Sequence, residues 1–310
     1  MDTHTYMKKT SLSLVIALIA VPAMAQTITD GIMMGRGKLC TGLMYGQENW
    51  STYWEGTLER SNQNIGTLQS RQYLWMGIYG ITDRLNVIGS LPYVKNHTTG
   101  GTLHDMEGLQ DLTLAAKYRF YRLDAEKGRF TAHAVGTFST PMSNYTPDFL
   151  PLSIGLHSTN LSARVTFNYT FRQGWFVNGS SGYTYRSNVV LDRPSYYTNN
   201  TFYETNQVRM YDVFDFNLDA GYRIEKWQAN LTYMQMNTLG GGDIRRQDMP
   251  FVNNMMNASR LGGVLMYYLS KPKDFAVRVT ASTVIDGRNV GRSTQWMAGI
   301  FYTFHFTKSE

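Results

Sequence analysis

The chain has 310 residues, a formal net charge of +6 and only 17% charged residues. No basic tract is present to track a phosphate backbone, which excludes nucleic acid as a partner. The single cysteine, Cys40, excludes an internal disulfide and reads as a small inward or buried residue. Aromatic residues reach 14%, with 21 Tyr and 15 Phe, whereas a soluble domain of this size carries fewer rings and about a quarter charged residues.

In chain order, the first feature is a basic step at Lys8 and Lys9, followed by the uncharged run Leu12 to Val21 and by Ala23-Met24-Ala25. Small residues two apart after a short apolar run are what a signal peptidase reads, so residues 1–25 are expected to be a cleaved secretory signal peptide. Its removal takes Lys8, Lys9 and Asp2 and leaves a net charge of +5 out of +6. The apolar run is too short to anchor the chain as a spanning helix.

Residues 26–37 follow as a short N-terminal segment, read either as a loose periplasmic leader or as a plug that enters a lumen. Ile32-Met33-Met34 lies between Gly31 and Gly35, and methionine is a soft contact for apolar ligands, which makes Met33 and Met34 candidate ligand contacts.

Beyond residue 37 no window approaches the roughly 18–20 apolar residues that a spanning helix needs. A membrane protein without such helices must be a closed barrel, because only closure satisfies every backbone donor and acceptor in hydrocarbon. Residues 38–310 show period-two alternation in twelve stretches, near 38–47, 68–79, 84–95, 109–121, 129–140, 160–171, 175–187, 211–224, 227–238, 259–269, 275–285 and 294–306. The predicted fold is an all-β, closed antiparallel transmembrane barrel of about twelve strands. Connectors alternate short and long, as periplasmic turns and outer loops do. A soluble β-sandwich has no reason to alternate in this way.

The alternation also assigns faces. In the last strand Trp296, Ala298, Ile300, Tyr302 and Phe304 share one row, and Gln295, Thr303 and His305 share the other. A basic residue facing lipid at mid-membrane costs about 2–4 kcal/mol, so the polar rows must face inward. The candidate lumen-lining residues are Asp111, Lys117, Arg119, His133, Arg164, Arg186, Asp215, Asp219, Arg223, Arg278 and His305. The second strand has two apolar rows, so Leu74, Met76 and Ile78 are expected either to touch a hydrophobic ligand or to pack against a plug. The loop 188–210 carries Tyr196, Tyr197 and Phe202, candidate ligand contacts that either capture a compound or fold inward as a constriction; a loop packed over the barrel mouth for stability has the same composition.

Tyr79-Gly80-Ile81-Thr82-Asp83-Arg84-Leu85, running on to Leu91-Pro92-Tyr93, and then Gly108-Leu109-Gln110-Asp111-Leu112-Thr113-Leu114-Ala115-Ala116-Lys117-Tyr118-Arg119, resemble consecutive strands of the "MetA-pathway of phenol degradation" family of outer-membrane proteins. That family is similar in turn to the long-chain fatty-acid transporter group, and the resemblance implies a barrel that admits hydrophobic molecules. Two departures stand out. The segment 26–37 is too short for the N-terminal hatch of fatty-acid transporters. The aromatic residue expected to be read by the barrel-assembly machinery, Phe306, is followed by four more residues.

Catalytic and metal signatures are weak. No Gly-x-Ser-x-Gly elbow occurs, His133 and His305 fall on inward rows, and His97, His104, Asp105 and Glu107 match no established ligand spacing. Gly240-Gly241-Gly242 is not followed by the Lys-Ser or Lys-Thr of a phosphate loop. The sequence therefore reads as a non-enzymatic, cofactor-free channel in the outer membrane of a Gram-negative bacterium. Its expected partners are membrane lipid, the assembly machinery and a small hydrophobic or aromatic compound taken up passively. A general diffusion porin for small polar solutes and an adhesion barrel acting through its outer loops are the competing readings, and the oligomeric state is left open.

Overall fold

The structure, a computed structural model, describes residues 26–306 except Gln247. The expected signal peptide, residues 1–25, lies outside the described residues.

Twelve strands form the wall: β1 (Lys38–Trp50), β2 (Leu68–Gly80), β3 (Leu85–Thr98), β4 (Asp111–Ala125), β5 (Gly128–Pro141), β6 (Asn160–Phe171), β7 (Trp175–Arg186), β8 (Val213–Arg223), β9 (Trp227–Thr238), β10 (Asn257–Tyr268), β11 (Phe275–Arg288) and β12 (Thr294–His305). Each pairs antiparallel with its neighbours, and β1 also pairs with β12 from Lys38↔His305 to Asn49↔Thr294, which closes the ring. The expected twelve-stranded barrel is therefore the observed one. Closure leaves no unpaired edge, the condition hydrocarbon imposes.

The register fixes the faces. Cys40, Met44 and Glu48 of β1 oppose Thr303, Gly299 and Gln295 of β12 on the inside, while Leu43, Leu161, Leu231 and Ile300 are among the most exposed apolar side chains on the outside. In β4 the register steps between Arg119 and Tyr121. This bulge leaves both Phe120 and Tyr121 exposed and switches the parity of the remaining strand, so that simple alternation holds only up to Arg119. Rings near the strand ends pair on the outer surface, as in Trp227 with Tyr267 and Trp175 with Tyr222, at centroid distances of 4.4 and 4.9 Å. Tyr and Trp suit the two headgroup levels because each joins an apolar body to a polar tip.

Short turns join the strands at the end that carries the N-terminal segment, the periplasmic end of an outer-membrane barrel. At the other end several loops carry structure of their own. Residues 52–55 pair with 58–61, and 196–198 pair with 201–203. Val189, Leu191, Tyr196, Val208, Met210 and Val252 form a second apolar cluster that binds the loops to one another.

Candidate functional site

Residues 26–37 double back from the start of β1 into the barrel. Gly37 is fastened at the periplasmic rim, its N–H donating to the Gly80 carbonyl at 2.8 Å and its carbonyl accepting from Phe306 N at 2.8 Å. Gly80 is where the segment presses on the wall, and a Cβ at this position would collide with the backbone of Gly35 and Met34. Only glycine permits so close an approach of two backbones.

From there the segment shows two faces. Met34 is 2% exposed and joins Cys40, Met44, Ile78, Ile88 and Phe301 in the main apolar cluster, with Ile28, Leu74 and Met76 packed against it. The inner row of β2 is thus covered by the chain's own N-terminal segment, and the plug arrangement is the one observed for Leu74, Met76 and Ile78. Met33 is only partly buried, outside that cluster, and neither Met33 nor Met34 lines either of the two main lumen cavities. Ile28 and Thr29 face the open lumen instead.

The other face is polar and anchored by one buried cation. Lys117 is fully buried, and its ammonium donates to the Asp30 carboxylate at 2.8 Å, the Asp30 carbonyl at 2.6 Å and the Thr27 carbonyl at 3.1 Å. An ammonium with three oxygen acceptors is satisfied where an unpaired one would be prohibitive. Enclosure by itself would push the Asp30 carboxyl up. The Lys117 charge, with hydrogen bonds from Lys117, Ile32 and Thr27, outweighs it and holds the carboxyl below its ordinary value of 3.8. Asn178 adds a further tie, donating to the Thr29 carbonyl at 2.8 Å.

The remaining inward charges fall into groups. Arg164 pairs with Asp215 and donates to Ser180 Oγ at 2.8 Å. Asp219 accepts from Asn178, Asn217 and Thr232 at 2.9, 2.8 and 2.6 Å. Arg223 donates to Gln228 at 2.8 Å and lies over the Phe176 ring, 4.7 Å from its centroid. Arg278 projects from β11 into the same polar region, and Arg186 lines the outer cavity. His133 is completely buried on β5 with neither ring nitrogen hydrogen-bonded. Three of the sequence-derived residues stand apart. Asp111 accepts from Tyr145 at 2.7 Å under an outer loop, Arg119 donates to the Asp83 carbonyl at 2.9 Å, and His305 pairs with Asp274 at 2.9 Å on the periplasmic rim.

The loop aromatics do not reach the lumen. Tyr196 is buried in the loop cluster, stacked on Tyr203 at 4.9 Å, and Tyr197 and Phe202 are exposed on a hairpin. None of the three borders the outer cavity. Burial of Tyr196 beside Phe251 makes it part of what holds the loops together.

Sequence reading overlooked Asp30, and the signal was present: Lys117, mid-strand and inward, needs an anion, and the N-terminal segment is the piece of chain free to supply one. It also overlooked the pair of Arg260 with Glu48, 2.7 Å apart. The first alternating stretch ends near residue 47 in the sequence, whereas β1 continues to Trp50 and carries Glu48.

Two cavities result. The outer one, about 700 Å³, is floored by Ile28 and Thr29 and bordered by Trp50, Arg164, Arg186 and Arg260. The inner one, about 240 Å³, lies between the polar face of the segment and strands β6 to β12. They meet at Thr29, Met234, Arg260 and Gln295. Among the described residues no group of His, Cys, Asp and Glu is arranged to hold a metal ion.

Comparison with known proteins agrees with this architecture. The family described as "MetA-pathway of phenol degradation" matches residues 63–298. The fold is similar to an outer-membrane channel from Pseudomonas putida F1, with 14% identity, a TM-score of 0.68, and coverage of 88% of this chain and 97% of that one. A lower likeness joins it to the NanC porin, at 8% identity, a TM-score of 0.49, and coverage of 84% and 98%. No curated protein matches the chain by sequence.

Proposed function

From the premise that this chain belongs to the MetA-pathway of phenol degradation family and folds as an outer-membrane channel barrel, we propose that it admits small hydrophobic or aromatic compounds passively. The observation that carries this reading is the apolar arc inside the barrel, Met44, Leu74, Met76, Ile78, Ile88 and Phe301, covered by a short segment that is not part of the wall. The arc seats the segment, and the same apolar surface would serve a hydrophobic compound once the segment leaves it. Affinity must stay weak enough for release, because conduction requires sites that ligands both enter and leave.

In this reading a compound enters the outer cavity past Trp50 and descends between Ile28 and the wall. The segment 26–37 sets the constriction, and its release from the arc completes the path. The charge pairs of Arg164 with Asp215 and Arg260 with Glu48 cross-link the inner surface and hold the width of the passage. Residues 1–25 act as the cleaved export signal, and Phe306 as the residue read during assembly into lipid.

The test uses cells whose intact lipopolysaccharide layer slows apolar dyes. Expression of the chain is expected to accelerate uptake of N-phenyl-1-naphthylamine without accelerating entry of the polar β-lactam nitrocefin. Equal acceleration of both, together with a steady open current in planar bilayers, establishes the general porin instead.

A further inference from the structure

The inner cavity holds two arginines that the uptake route for neutral compounds does not use. The wall register places Arg223 opposite Gln228, Gln228 opposite Met266, and Met266 opposite Arg278. Arg223 and Arg278 therefore occupy one inward row, at the two ends of a four-strand shelf. Both line the inner cavity, and among the described residues neither has a carboxylate within ion-pair distance. The Nε of Arg278 is buried with no hydrogen-bond partner at all.

Two carboxylates line the same cavity. Asp30 is paired with Lys117, and Asp219 accepts from neutral side chains, those of Asn178, Asn217 and Thr232; Arg260 is paired with Glu48. Arg223 lays one face on Phe176 and spends its Nε on Gln228, which leaves the outer edge of its guanidinium free. With those two pairs balanced, Arg223 and Arg278 face one carboxylate, Asp219, so the cavity is one anion short and one of its cations has a buried unused donor. Guanidinium forks match planar carboxylates in bidentate geometry. Phe176, Val264 and Met266 border the same cavity and offer an apolar side to the anion's body.

We infer that Arg223 and Arg278 form a binding site for the carboxylate of a small aromatic acid, seated between the polar face of the N-terminal segment and strands β8 to β11. This deepens the uptake reading and rests on it: the channel would take acidic aromatic compounds by this polar side as well as neutral ones by the apolar arc.

The experiment titrates 4-fluorobenzoate against the purified barrel in detergent and follows fluorine NMR line broadening, with 4-fluorophenol as the neutral probe of like shape. Saturable binding of the acid is expected, weakened about tenfold in Arg278→Gln and in Arg223→Gln, with 4-fluorophenol unaffected by either change. Arg129→Gln, which removes a charge at the periplasmic rim, is expected to leave acid binding unchanged. Heat-modifiable gel migration verifies that each barrel is folded, and Arg278→Lys is expected to bind with intermediate strength because charge survives without the fork. Unchanged acid affinity in both glutamine variants overturns the site. Competition by inorganic phosphate as effective as that by benzoate overturns its assignment to carboxylates. The uptake reading is judged separately: loss of dye acceleration with intact acid binding defeats that reading alone, and the converse defeats this inference alone.

Discussion

The inside of the barrel is divided into two arcs of different chemistry. One is centred on β12, β1, β2 and β3, where it presents Phe301, Met297, Cys40, Met44, Ile78 and Ile88, and it continues to Ala115 and Val135 on one side and to Met266, Tyr268 and Ala276 on the other. The other runs from β6 to β11 and presents Arg164, Asn168, Asn178, Asn217, Asp219, Gln228 and Arg278 on the same inward rows. The N-terminal segment lies between them, with Met34 against the first arc and Thr27, Thr29 and Asp30 turned to the second. Its contact with the apolar arc is packed, while a cavity of about 240 Å³ remains on the polar side. The difference shows how one short peptide occludes a lumen selectively. Hydrophobic burial holds one side without direction, and a single buried ion pair on Lys117 fixes the position.

The largest expected effect comes from removing the separator. Deletion of residues 27–34 exposes the apolar arc and joins the two cavities, so single-channel conductance in planar bilayers is expected to rise severalfold and dye uptake with it. Conductance unchanged by the deletion breaks the two-arc account, because the segment would then not be what narrows the lumen.

Lys117→Met is next. It leaves the Asp30 carboxylate facing the wall without its cation, and loss of one partner of a buried pair costs about 3–5 kcal/mol. Met34 and Ile28 alone do not offset that, so the segment is expected to leave its seat and become open to protease from the periplasmic side. Asp30→Asn combined with Lys117→Met removes both charges and is expected to restore much of the protection. A double variant as open as the single one shows that position is set by the apolar face rather than by the pair. Gly80→Ala should have a smaller effect of the same kind. The new methyl group meets the Gly35 backbone, and overpacking of this sort costs about 1–3 kcal/mol, read as partial gain of conductance.

Much of this was legible in the sequence, for a physical reason. A strand between lipid and a lumen must alternate, so β6, with Leu161, Val165 and Phe167 against Ser162, Arg164 and Thr166, announces both its type and its faces. Closure and strand number followed from the same rule. The division into arcs was visible in part, since Leu74, Met76 and Ile78 stood out as an apolar inner row. What covered that row was not, because residues 26–37 have no period to interpret and their placement depends on Lys117, nearly ninety positions away. The packing of Tyr196 was hidden for the complementary reason. Tyr196 looked available for ligands, but loops of this length build their own core from Val189, Val208 and Val252, and nothing local in sequence distinguishes a ring that packs from one that waits. Simple alternation also broke at the Phe120 bulge, an extra residue that carries no turn signal.

The smallest effect, and the sharpest test of the ion pair, is the response to acid. Asp30 has its carboxyl held below the ordinary 3.8 by Lys117 despite enclosure. A group whose value is lowered by folding contributes stability that is fully present above its unfolded value and is lost as the pH falls through the folded one. The segment is therefore expected to stay seated, with constant conductance, from neutral pH down to about 4, and to loosen only below 3.8 as the carboxylate takes up a proton. The measurement is conductance as a function of pH, with Asp30→Asn as the reference: that variant lacks the titrating group, so its curve should be flat across the same interval. Opening of the wild-type channel at pH 5 to 6 would place control on a group other than Asp30 and separate occlusion of the lumen from the pair that bridges the segment to the wall.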